Sequence, residues 1–116
     1  MAITSAEVSD GATSNDSTLA MTFTASASTS NFVVGDISVS GGALSNFSGS
    51  GTTYTATFTP SAQGATTIGV ATGVFTDSGG GYNDLATEFN WTYDSTTPTT
   101  TFSPANSATA VAVASD

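Results

Sequence analysis

Between residues 52 and 59 the chain reads TTYTATFT, a strict alternation of threonine with apolar side chains. In an extended chain successive side chains point to opposite faces, so Tyr54, Ala56 and Phe58 share one face and Thr53, Thr55, Thr57 and Thr59 the other. A helix would scatter the same residues around its circumference. Threonine and aromatic residues suit a pleated, half-buried surface, so this segment is a strand with one face on a core. Pro60 ends it, having no N–H for the ladder.

The same period recurs along the chain. Residues 2–9 form an expected first strand, followed by the turn-rich loop DGATSNDS. Leu19, Met21 and Phe23 then alternate with Thr18, Ala20, Thr22 and Thr24. Ile37 and Val39 mark a further strand closed by Gly41 and Gly42, and Leu44 and Phe47 a short, irregular edge strand. Residues 66–75 carry Ile68, Val70, Val74 and Phe75, with Gly69 and Gly73 predicting a bulge or bend. The stretch 76–87 (TDSGGGYNDLAT) reads as a glycine-rich, solvated loop, and Phe89, Trp91 and Tyr93 close the set. No sustained 3.6-residue period is present. Seven strands at this spacing predict an all-β, immunoglobulin-like sandwich of about seven antiparallel strands, with Trp91 as its core anchor.

Composition then narrows what such a sandwich can do. The 116 residues include nine Asp and Glu but no Lys, Arg, His or Cys, for a net charge of −9. Displacing counterions from nucleic-acid phosphates needs cations, so nucleic-acid binding is excluded on this reading, as is attraction to an anionic membrane. Catalytic triads, thiol nucleophiles, zinc–histidine sites and Schiff-base lysines lack their residue types. A carboxylate-pair glycosidase survives only arithmetically, since the carboxylates fall in turns without cleft aromatics. The chain is therefore expected not to be an enzyme. An all-anionic surface repels its copies, a cost that salt or bound cations relieve, which fits a salty or calcium-containing setting outside the cell.

No stretch approaches the ~20 apolar residues of a membrane span. Met1 directly precedes a strand-like segment, so any export signal is expected upstream in the natural protein. Residues 94–100 (DSTTPTT) read as a linker. Beyond it Val111 and Val113 alternate with small residues, like a first strand lacking its domain. The expected organisation is one domain over 1–98 and, over 99–116, a linker and truncated first strand of a following domain.

The VGDI turn, the YTATFTP strand with its stop, and the FNWTYD segment leading to Pro98 resemble a bacterial Ig-like repeat of large repetitive surface proteins and adhesins. The tail FSPANSATAVAVASD is similar to the first strand of a second Ig-like type found in S-layer proteins. The resemblance implies a structural role in a secreted or surface-displayed protein: extending a stalk, spacing a ligand-binding tip, or tiling a layer. Its partners would be neighbouring Ig-like domains of the same chain or copies of itself. Two alternatives accompany that reading. The VAVAS tail could add as a strand to a neighbour's open edge, building a fibre, or the outward threonine row could bind glycan or ice.

Candidate sites are oxygen ligands for Ca2+. In a seven-strand sandwich the loop after the first strand and the end of the last share a pole, which would gather Asp10, Asn15, Asp16 and Asp94 where calcium would stiffen an interdomain joint. The opposite pole carries Asp77, Asn83 and Asp84. Repeats of this type often show D-x-x-G-N-x-N there. Here Asp77, Gly80 and Asn83 match, and Gly81 replaces the first amide. Against both stands the plainer role of Asp and Asn as turn formers.

Overall fold

A strand that is apolar on one face needs a second layer against which to bury it, and the chain supplies two sheets. The computed structural model describes residues 1–95. Its strands are β1 (Ala2–Ser5), β2 (Thr13–Ser14), β3 (Leu19–Thr29), β4 (Ile37–Ser40), β5 (Gly42–Pro60), β6 (Gly64–Val70) and β7 (Phe89–Tyr93), with a 3-10 turn at Val34–Asp36. One sheet has the order β1-β3-β5 and the other β2-β7-β6-β4. The tail expected as a truncated first strand, 99–116, lies outside the described residues.

The long β5 doubles back on itself. A Cβ added at Gly42 would lie 2.5 Å from the Phe58 ring and the Thr59 carbonyl, and one at Gly49 would lie 2.4 Å from the Thr53 carbonyl. The Phe47 and Tyr54 rings stack at 5.8 Å. The edge strand expected at 44–47 and the strand at 53–59 are thus two arms of one hairpin. With both arms counted, the sheets carry the immunoglobulin arrangement of four strands facing a sheet of three, the latter extended by β2.

Three boundaries differ from expectation. β1 ends at Ser5, not Ser9, because the chain leaves the first sheet there and crosses to the second. β3 runs on to Thr29, with a register shift between Thr24 and Thr29. β6 stops at Val70, where the chain turns into the loop that Asn83 organises. A fourth difference concerns direction. β2, inside the expected loop, pairs parallel with β7, Thr13 opposite Thr92 and Ser14 opposite Tyr93; the other strand pairs are antiparallel.

The crossing is a turn in which Ala12 N–H donates to the Ser9 carbonyl, and Gly11 at its third position has φ +87°. That is type II geometry, which favours glycine there. It swings the strand off β3 and lays it along β7.

Alternation sends Leu19, Met21, Phe23, Tyr54, Ala56 and Phe58 inward from one sheet and Thr66, Ile68, Val70, Phe89 and Trp91 from the other. Trp91 is 1% exposed and meets Phe58 edge-on at 6.0 Å. A second centre is Phe32, whose ring lies within 6.2 Å of those of Phe23, Phe47, Tyr54 and Phe75. Two polar groups in the core are bonded, Tyr54 O–H donating to the Thr29 carbonyl at 2.9 Å and Thr66 Oγ1 to the Trp91 carbonyl at 2.8 Å, whereas the buried Trp91 Nε1 has no hydrogen-bond partner among the described residues.

The strand directions place the two ends of this domain at opposite poles. Met1 borders a hollow beside Ala25–Ala27 and Tyr82–Asp84, while Tyr93 leaves between Ser14 and Gly64.

Candidate functional site

The C-terminal pole does not gather its four expected ligands at one point. Asp10 Oδ1 accepts the Asn90 N–H at 2.7 Å, near the start of β7. Asp94 lies beyond the other end of that strand, its N–H on the Ser14 carbonyl. At about 3.3 Å per residue, four residues of β7 put roughly 13 Å of backbone between these levels. Asn15, Asp16 and Asp94 do share the pole. Asp16 is folded onto its own loop, its carboxylate accepting from Ser14 Oγ while its N–H donates back to that hydroxyl.

At the N-terminal pole the structure brings Asp77, Asn83 and Asp84 to one hollow of mainly polar lining. Two of them have a structural occupation. Asp77 Oδ1 accepts the N–H groups of Gly79 and Gly81 at 2.9 and 3.0 Å. Asn83 Oδ1 accepts those of Val74 and Phe75, and its Nδ2 donates to the Ala71 and Asp84 carbonyls. The stretch 76–87 carries no strand, as expected, yet it is tied down by these bonds instead of being merely solvated.

Among the described residues, no group of three or more carboxylates is placed to hold a metal ion. A groove beneath the crossing brings Glu7 and Asp10 together with Ile3, Val8 and Phe89. Both carboxylates hold backbone there, Glu7 Oε1 taking the Ala20 N–H at 3.0 Å. Among the described residues no helix is long and apolar enough to cross a membrane.

The threonine row widens into a grid on the outer face of β1-β3-β5. Thr4 pairs with Thr22 and Thr22 with Thr55; beside them Ala2, Thr24 and Thr53 align, then Ala20 and Thr57. None of these positions carries a charge.

With two sheets in the immunoglobulin arrangement established, comparison with known families is decisive. A family model described as "Bacterial Ig-like domain" matches residues 2–93. The chain belongs to that family. No curated protein and no solved structure matches it. Bacterial Ig-like domains are generally non-enzymatic and commonly lie in surface proteins; what the match shows of this chain is a generic Ig-like module. The match covers the sandwich and stops where β7 ends.

Several residues that hold this Ig-like domain together escaped the sequence reading. Asn31 Oδ1 accepts from Thr29 Oγ1 and the Thr76 N–H, and its Nδ2 donates to Thr76 Oγ1, tying the end of β3 to the long loop. Glu7 and Phe32 are the others. The available signal was chemical type, not period: Asn and acidic side chains in loops capture backbone N–H groups.

Proposed function

We propose that this Ig-like domain is a spacer module of a secreted or surface-displayed bacterial repeat protein, one that carries length and not chemistry. The observation that supports this most is the disposition of the ends at opposite poles of the sandwich. Modules joined that way add in line, whereas ends at one pole would fold each pair into a hairpin. Its partners in this reading are neighbouring Ig-like domains. A surface with no cationic side chain discourages lateral sticking to its copies.

The test is small-angle scattering on one, two and three copies joined head to tail. Each added copy is expected to lengthen the particle by about 35–40 Å, the span of an eleven-residue strand such as β3. Compact particles without that increment would overturn the reading.

The threonine grid favours a second reading, contact with ice. Strands about 4.8 Å apart with outward hydroxyls every second residue present water with a regular, uncharged lattice. The face has no aromatic ring for a sugar to stack on. Faceted ice crystals that become round on replacing Thr22 and Thr55 by lysine would support it; crystals shaped as in buffer alone would remove it.

A further inference from the structure

Among the described residues, the large apolar side chains left exposed are Val33, Val34, Val74, Tyr82 and Leu85. Apolar residues scattered singly over a surface need no explanation, but these share one place. Val33 and Val34 follow β3, Val74 follows β6, and Tyr82 and Leu85 precede β7, so all five stand in loops at the N-terminal pole. The three segments are neighbours there. Ile37 pairs with Val70, and the Val70 carbonyl takes the Ala86 N–H at 3.1 Å. At about 4.8 Å per strand, they lie within roughly 10 Å of one another. Phe32 and Phe75 face inward with their rings 4.9 Å apart, which turns the adjoining Val33 and Val74 outward.

Hydrogen bonds hold these loops from behind. Asp36 Oδ2 accepts the Val33 N–H at 3.0 Å, Asn83 Oδ1 the Val74 N–H at 2.8 Å and Asn31 Oδ1 the Thr76 N–H at 3.0 Å. A surface ordered before it binds loses less freedom on binding and keeps more of its contact energy as affinity.

The charge around the patch fixes the chemistry of its partner. Asp36, Asp77, Asp84 and Glu88 border it, the last two exposed, and the chain has no cationic side chain to offset them. A second copy does not fit. Its C-terminal pole would bring Asp16 and Asp94, with no exposed large apolar side chain among the described residues. An anionic membrane is repelled by the same carboxylates. An apolar centre with an acidic rim is complementary to apolar side chains flanked by cations. We propose that this pole is a docking surface for a second protein, and that it takes a segment in which apolar side chains stand beside Lys or Arg. The apolar groups cover Val34, Tyr82 and Leu85, and the cations pair with Asp84 and Glu88. Such a surface goes beyond the spacer reading and stands without it.

The experiment selects a random phage-displayed peptide library on the immobilised chain at physiological salt, then measures the affinity of the selected sequences as free peptides. They are expected to be enriched in Lys or Arg together with aromatic or aliphatic residues. Tyr82→Ser combined with Leu85→Ser should weaken their binding at least about tenfold. Both positions are exposed, so the melting temperature should stay within about 5 °C of wild type. Asp84→Asn combined with Glu88→Gln should weaken binding several-fold and flatten its dependence on salt. Selected peptides without Lys or Arg would overturn the proposal. So would peptides that bind the Tyr82 and Leu85 variant as tightly as wild type, or a library that yields no binder. Dimers that form as the chain is concentrated, and are lost in that variant, would assign the face to a second copy instead. Variant-sensitive sedimentation with phosphatidylcholine vesicles would assign it to a membrane. Head-to-tail copies that fail to extend would sink the spacer reading and leave this surface standing.

Discussion

Asn83 and Asp84 are neighbours with the same nominal chemistry, yet the geometry gives them unequal weight. Asn83 holds the N–H groups of Val74 and Phe75 and the carbonyl of Ala71, so its side chain closes the loop between β6 and β7. Asn83→Ala leaves those groups to find water and is expected to cost about 1–3 kcal/mol. Asn83→Asp keeps the Oδ1 acceptor and should cost less, while exposed Asp84→Ala should fall within about 0.5 kcal/mol of wild type. Urea unfolding midpoints rank the three. An order in which Asp84→Ala is the worst would contradict the structural role. Phe32 belongs to the same scale. Its ring is 4% exposed among four others, and Phe32→Ala should cost about 3–5 kcal/mol, comparable to loss of Trp91. Trp91 was legible because it sits in a period-two run. Phe32 was not, since it stands in the STSNFVV stretch where no period marks which side chain points inward.

At the scale of elements, strands with an alternating face were legible and their edges were not. TTYTATFT declares both its faces, whereas the two residues of β2 are too few to carry a period, and their pairing is decided by the turn before them. The hairpin in β5 was read as two strands because glycines interrupt it. Glycines at two separate turns, one in this hairpin and one before β2, have different jobs. At Gly49 φ is +135° and a Cβ would strike the Thr53 carbonyl at 2.4 Å, while at Gly11 φ is +87° with open space around it. Gly11→Ala therefore meets backbone strain alone, about 1–2 kcal/mol. Gly49→Ala meets strain and a backbone clash together, and should cost at least about 1 kcal/mol more than Gly11→Ala, since overpacking adds its own penalty. Thermal unfolding of the two variants checks the order, and equal destabilisation would mean that the two arms separate easily at the tip.

For the whole molecule the governing quantity is the net charge of −9 and where it lies. The outer face of β1-β3-β5 is neutral, while Asp16 and Asp94 stand at the C-terminal pole and Asp77 and Asp84 at the other. In a head-to-tail array each joint would bring two such poles together, within about a Debye length at physiological salt. The poles were legible from the strand count. The separation of Asp10 from Asp94 was not, because it depends on the parallel register of β2. This geometry alters the expectation for calcium. A cation seeking six to eight oxygens finds no cluster of three carboxylates within the described residues of one module, but a joint offers carboxylates from two. Millimolar calcium should then leave the melting temperature of the single chain within about 1 °C of its value in sodium chloride of equal ionic strength. For two copies joined in tandem, the same calcium should raise melting by several degrees and narrow the spread of interdomain distances seen by scattering. A rise of several degrees in the single chain would return the site to one pole of one module. No response in either sample beyond that to sodium chloride would leave the joint governed by screening alone.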